Sequence, residues 1–360
     1  MATYKSIRYL IPDEVVEHTD SINALADVNT STVAPEIGQT LKWSAANSRW
    51  QPADIEEAGS SGTQKAIFGF GSSSDNYFNM TNLVSSTGIV ATDTTGVGTV
   101  KIALAASSYG GDKAIFGFGA DNVDVSNTTN LVSNTGVVAT DTTGVGDARE
   151  RLASASFGGD KAIFGFGFRY SSEETNTTNL VSNAGVVATD TTGVGTTRLD
   201  LAAASYGGDK ALFGFGQAYD GDYPNSITNL VSNTGVVATD TTGVGTTRLS
   251  LTASSYGGDK AIFGFGRADD WSLYNITNLV SNAGVVATDT TGVGAARHQL
   301  AATGYGGDKA IFGFGDIGDP YITETNITNL VSNTGVVASD STGVGTSRYG
   351  LAAAGFSSTA

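Results

Sequence analysis

The sequence of 360 residues contains no cysteine, which excludes a disulfide framework and a thiolate metal site. Only two histidines are present, His18 and His298, so neither a histidine metal cluster nor a Ser-His-Asp triad can be assembled from them. No apolar run approaches the ~18 residues of a membrane-spanning helix. The N-terminal MATYKSIRYLIPDEVVEH is too charged and too briefly apolar for a secretory signal. Basic residues are few, 19 against 35 acidic for a net charge of −16. Such a surface repels polyanions, so nucleic acid is not an expected partner. Five prolines stand against 48 glycines, a balance that fits many tight turns between short strands. Phosphate-loop, EF-hand and zinc spacings are absent, and no cofactor or metal is expected.

What is present is repetition. AIFGFG, once ALFGFG, begins at Ala66, Ala114, Ala162, Ala211, Ala261 and Ala310, a period of 48 to 50 residues. Each copy continues through a variable stretch into TNLVSNTGVVATDTTGVG, a basic residue, and LAAASYGGDK or a near variant. Four strands per unit are expected: RLSLTASSY as A, KAIFGFG as B, ITNLVS as C and GVVATD as D. GGD joins A to B and SNTG or SNAG joins C to D, since glycine and asparagine supply the positive φ of tight hairpins. Along strand B, Ala261, Phe263 and Phe265 should share one face, and Ile262, Gly264 and Gly266 the other. The first unit lacks a strand A, whereas RYGLAAAGF from Arg348 is a strand A without a strand B. The expected fold is therefore an all-β, six-bladed propeller of four-stranded antiparallel blades, closed by the C-terminal strand pairing into the first blade. Two domains follow: a module over 1–59 and the propeller over 60–360.

The succession of arginine, small-apolar strand, glycine turn and IFGFG resembles the kelch-type propeller repeat from about Gly62 to Ala360. It departs from that pattern in lacking the family's Gly-Gly doublet and late Tyr and Trp. The likeness implies four-stranded blades and no activity. LADVNTSTVAPEIGQTLKWSAANSRWQPADI, which holds Trp43 and Trp50, resembles a short β module of bacteriophage tail and fibre proteins. The repeats are also similar to those of structural proteins of phages infecting marine cyanobacteria. These resemblances imply location in a virion tail or fibre. Residues 1–59 would contact other virion proteins or support a homo-oligomer such as a trimer. The plainer reading makes Trp43 and Trp50 the core of a capping hairpin. Within residues 1–26, YKSIRYLI fits a strand and DSINALAD a helix.

Repeat length varies only between FGFG and TNL. The six B–C loops, Ser72–Met80, Ala120–Thr128, Phe168–Thr177, Gln217–Ile227, Arg267–Ile276 and Asp316–Ile327, share almost nothing while their flanks are near-copies. They hold nine aromatics: Tyr77, Phe78, Phe168, Tyr170, Tyr219, Tyr223, Trp271, Tyr274 and Tyr321. They also hold twelve acids and two arginines, Arg169 and Arg267. Aromatics beside carboxylates suit a sugar, which stacks its apolar face and hydrogen-bonds its hydroxyls. The candidate ligand residues are those aromatics with Asp220, Asp269 and Asp270. Exposure alone would let loops drift, but it accounts less well for so many aromatics.

The D–A crossovers share that face and carry a second ring, with acids Asp93, Asp141, Asp190, Asp240, Asp289 and Asp340 and cations Lys101, Arg149, Arg198, Arg248, Arg297 and Arg348. An anion or metal site is one reading. Sixfold repetition favours a structural role, with acids capping turns and cations bridging blades. Asp112, Asp160, Asp209, Asp259 and Asp308 of GGDK are read as turn residues, replaced by Gln64 in the first unit.

The expected function is that of a non-enzymatic virion protein whose loop face binds a host cell-surface receptor, with a polysaccharide a candidate. Alternatives are an architectural subunit touching only virion proteins, and a glycan hydrolase using loop acids among Asp220, Asp222, Asp269, Asp270, Asp316, Asp319 and Glu324. The hydrolase would need two carboxyls ~5–9 Å apart.

Overall fold

The computed structural model describes residues 7–11, 14–18, 39–44, 49–54, 64–170, 173–218, 224–318 and 321–357. The chain divides into two compact units, Met1–Gly59 and Ser60–Ala360. In the first, strands Ile7–Ile11 and Glu14–His18 pair antiparallel. Gln39–Ser44 pairs with Arg49–Asp54 in a register that sets Trp43 opposite Trp50. The expected helix over DSINALAD lies outside the described residues.

The described residues of the second unit form six three-stranded antiparallel sheets, a β-propeller-like repeat. A typical sheet is Ala105–Tyr109, Lys113–Gly117 and Thr129–Val132. Four more repeat this order, with first strands Ala153–Phe157, Ala202–Tyr206, Thr252–Tyr256 and Ala301–Tyr305. In the remaining sheet the first strand is Ala352–Ser357, from the end of the chain, paired with Gln64–Gly69 and then Thr81–Val84. Ala352 faces Gly69 there, as Ala105 faces Gly117 in the sheet after it.

The FGFG string explains how neighbouring sheets pack. Its first phenylalanine lies on the preceding sheet: the Phe164 ring sits where a methyl on Gly117 would meet it at 2.9 Å, so only glycine fits. The same ring stacks tilted against Phe118, centroids 5.1 Å apart. The contact recurs at every sheet-to-sheet step, including Phe314 on Phe68 at 5.2 Å and Gly313 against Phe68, which join the last repeat to the first. One expectation along this strand fails. Phe265 does not share a face with Phe263; it packs with Ile262, while Phe263 packs with Ala261 in another cluster. The cause is a left-handed backbone at Phe265, φ 64°, which turns the side chain across the sheet. All six equivalent phenylalanines share it, with φ between 62° and 65°. Burial of two large rings per interface offsets strain of about 1–2 kcal/mol at each such residue.

The segment GVVATD is not a continuous strand. It meets the third strand at two isolated bridges per repeat, Val84↔Val90 and Thr81↔Thr94 in the first. Three steps on one side oppose four on the other, a bulge. The Asn82 side chain enters it, donating from Nδ2 to the Ala91 carbonyl at 3.0 Å.

The six first strands stand side by side and are lined mostly with Ala, Ser, Thr and Gly. Ser108, Ser156, Ser205, Ser255, Gly304 and Gly355 border a cavity of about 270 Å³ between them. Two cycles of backbone hydrogen bonds tie the repeats together. At the hairpin end, the amides of Gly110, Gly158, Gly207, Gly257, Gly306 and Ser357 donate to the carbonyls of Asp160, Asp209, Asp259, Asp308, Gln64 and Asp112, at 2.6–2.9 Å. At the loop end, Ala103 donates to Gly350, Arg151 to Ala103, Asp200 to Arg151, Ser250 to Asp200, Gln299 to Ser250 and Gly350 to Gln299, at 2.8–2.9 Å.

Candidate functional site: the loop face

The loop face rests on a buried polar layer. After TTGVG the chain leaves one sheet, and the basic residue of the crossover turns inward between that sheet and the next. Arg149, Arg198, Arg248, Arg297, Arg348 and Lys101 are all fully buried. The Arg149 guanidinium lies 4.5 Å from the centroid of the Phe118 ring and donates from Nη2 to Asn179 Oδ1 at 2.5 Å. Asn179 then donates from Nδ2 to Asp190 Oδ1 at 2.8 Å, and Asp190 Oδ2 accepts from the Asp147 amide at 2.9 Å. Equivalent chains run through Asn130, Asn229, Asn278, Asn329 and Asn82. The ring acids thus grip the crossover that leads into their own sheet: Asp141 accepts from the Thr99 amide and hydroxyl at 2.9 and 2.7 Å, and Asp93 from those of Thr346.

Burial opposes ionisation of Asp93, Asp141, Asp240 and Asp289, but the hydrogen bonds they accept prevail and hold each below the ordinary carboxylate range. Burial likewise pulls Arg149, Arg198, Arg248, Arg297 and Arg348 down to about 10, against the attraction of their aspartates. Lys101, the one lysine of the set, is pulled down by burial to about 8. With their guanidiniums enclosed, these cations face protein groups and not solvent.

Above this layer stand the six loops. Several are small hairpins, closed by the bridges Ser72↔Tyr77, Ala120↔Val125, Arg267↔Leu273 and Asp316↔Glu324, or by Phe168–Arg169 pairing with Glu173–Glu174. Of the predicted ligand residues, Tyr170, Trp271 and Tyr321 project to solvent, being 74%, 52% and 83% exposed. Tyr77, Phe78, Phe168 and Tyr274 are half-buried at the loop bases. Trp271 carries the Arg267 guanidinium over its ring at 3.9 Å. Asp269 and Asp270 are exposed, and Asp270 accepts from the Ser272 amide at 3.0 Å. Tyr219, Asp220, Asp222, Tyr223 and Asp319 lie outside the described residues.

Loop six is organised by Asp316. Its Oδ1 accepts from the Gly318 and Thr323 amides at 2.9 and 2.7 Å, and its Oδ2 lies 3.5 Å from Nε2 of buried His298. Although burial opposes it, these partners hold Asp316 below the usual carboxylate range. Glu324 reaches loop one, accepting from the Ser74 amide and from its hydroxyl at 2.6 Å. These two acids are thereby engaged in loop structure. Asp160, Asp209, Asp259 and Asp308 each bind the lysine that follows and an asparagine of the C–D hairpin, Asn183, Asn233, Asn282 and Asn333. Among the described residues, no three of His, Asp and Glu are placed to hold a metal ion.

Sequence reasoning missed two sets. The buried asparagines of TNLV are one; their identity in every copy, just before two apolar residues, was the available signal. The other set is the residues of the loop-end hydrogen-bond cycle. Between the invariant cation and an invariant leucine, these positions read Ala103, Arg151, Asp200, Ser250, Gln299 and Gly350, different in every copy. The residues just before them, Ile102, Glu150, Leu199, Leu249, His298 and Tyr349, pair with the first residue of a B–C loop.

No protein-family model and no curated protein matches the chain.

Proposed function

We propose that the six sheets are the blades of a closed six-bladed propeller, each with a vestigial fourth strand. The two hydrogen-bond cycles and the recurring Phe–Gly contact support this. We further propose that the chain is a non-enzymatic bacteriophage tail or fibre protein whose loop face binds a glycan of the host surface. The phage setting rests on the resemblance of residues 25–55 and of the repeats to such proteins. The binding reading rests on one observation: on a frame copied six times, divergence in length and kind is concentrated on the loop face, and there Tyr170, Trp271 and Tyr321 stand in solvent. Exposed rings beside hydrogen-bonding groups are the usual surface for stacking a sugar.

The test is adsorption of the purified full chain to host cells. Replacing Tyr170, Trp271 and Tyr321 together with alanine should abolish adsorption and leave the melting temperature unchanged. Undiminished adsorption would overturn the receptor reading.

One observation favours a second reading, an architectural subunit. Ile89, Val137, Val186, Val236, Val285 and Val336 occupy one position in the six repeats and all are exposed. A repeated apolar surface suits contact with other particle proteins. Imaging the labelled protein in its native assembly separates the two, at a distal tip or within a junction.

A further inference from the structure

The loop-end cycle of backbone hydrogen bonds carries an inference that builds on the glycan-binding reading. Its six residues hold a left-handed backbone, φ 52–53° at Ala103, Arg151, Asp200, Ser250 and Gln299 and 62° at Gly350. Glycine is the unstrained residue for such a site, and a side chain there costs on the order of 1–2 kcal/mol. Five of the six positions nevertheless bear side chains, all different, whereas the neighbouring cation and leucine never vary in kind. Packing does not demand that variety: the backbone bonds are equal in length all round the cycle, whatever the side chain. Sparsely populated backbone conformations cluster at binding and active sites, and unlike the core phenylalanines these six positions vary in identity.

The chemistry is uneven around the cycle. On one side Arg151 lies 3.6 Å from Asp200 and 4.0 Å from Glu150, its side chain partly exposed. Gln299 follows two positions on, half-buried. On the other side, Ala103 and Gly350 carry no polar group; Ile102 lies so near Gly350 that an added methyl would meet it at 2.5 Å. Burial raises the Glu150 carboxyl above its ordinary range, offset in part by Arg151. The polar arc offers a guanidinium, two carboxyls and an amide, donors and acceptors in mixed order. Arg151 already faces two carboxyls, which disfavours an anionic ligand.

We propose that this polar arc, Glu150, Arg151, Asp200 and Gln299, is the specificity-determining site for the terminal residue of a neutral saccharide. The exposed aromatics of the surrounding loops would stack against the units that follow. Charged and bidentate partners fix the hydroxyl pattern of a sugar, while stacking contributes affinity with less discrimination.

The experiment uses the full chain on a surface bearing immobilised neutral oligosaccharides (glucans, mannans and galactans) and alginate oligomers as the acidic set. Unmodified protein should bind one neutral class and not the alginate oligomers. Gln299→Ala with Asp200→Asn should weaken that binding ~10-fold or more at an unchanged melting temperature. Gln299→Arg should move preference towards the alginate oligomers, a gain that misfolding cannot produce. Binding retained within twofold by both variants, and still lost on replacing Tyr170, Trp271 and Tyr321, overturns the polar arc and leaves the loop reading standing. Binding of unmodified protein to the alginate oligomers alone overturns the polar arc; binding to no oligosaccharide of either set overturns both readings.

Discussion

The Ala103 amide donates to the Gly350 carbonyl at 2.8 Å, so the lead-in to the second repeat is bound to the lead-in of the chain's last strand. That bond equals those inside the repeat array, as do the Phe314–Phe68 stack and the pairing of Ala352–Ser357 with Gln64–Gly69. The end of the chain is thus structurally part of the first repeat.

Ending the chain at residue 347 should therefore leave Gln64–Gly69 with an unpaired edge and an uncovered apolar face. Such edges recruit other chains. Size-exclusion chromatography should show self-association, and the thermal transition should fall or broaden. A peptide of residues 348–360 should restore the elution volume of the full chain. A truncated chain that elutes as expected for the full chain's assembly, with an unchanged transition, would contradict the pairing.

Replacing Asn278 with leucine should be severe. It strands the fully buried Arg248 guanidinium, which donates to Asn278 Oδ1 at 2.6 Å, and removes a donor to Asp289. Breaking one partner of a buried charged network costs about 3–5 kcal/mol, whereas removing the charge as well recovers much of it. Asn278→Leu with Arg248→Met should then be more stable than Asn278→Leu alone in urea titrations. Additive losses would show that the two side chains act independently.

Lys101 gives a pH signature. Its folded-state value is about 8 against an ordinary 10.5, so between these pH values the unfolded chain holds more protons than the folded one. Stability must rise with pH across that window, because the cost of burying the ammonium disappears as it deprotonates. Relative to Lys101→Met, the unmodified protein should gain on the order of 3 kcal/mol from pH 8 to 10.5. Parallel stability curves for the two proteins would disprove the assignment.

The strands and hairpins were legible because period-two apolar patterning and glycine turns are local signals, and six copies removed ambiguity of register. The face of Phe265 was not. Alternation presumes extended backbone, and a phenylalanine at φ 64° gives no sign of itself in the sequence. GVVATD reads as a strand by composition, yet Asn82 and its equivalents enter the ladder and reduce pairing to two bridges. The loops were found through their divergence, but not which of their aromatics reach solvent, since that depends on hairpins within each loop. The variation at Ala103, Arg151, Asp200, Ser250, Gln299 and Gly350 was readable from the same alignment of repeats. It lies inside a segment of constant length, where no change of spacing sets it apart from its flanks.

The uniformity of the frame beneath the loops has a practical corollary. Every loop springs from the same FGFG and returns to the same TNLV, with the same phenylalanine, asparagine and glycine contacts below it. A loop moved from one repeat to another meets the same two strings at its ends, but not the same neighbour at its base, where His298 faces Asp316 and Glu150 faces Phe168. Exchange of a loop between positions therefore leaves the core unchanged provided that the residue paired with its first position moves with it.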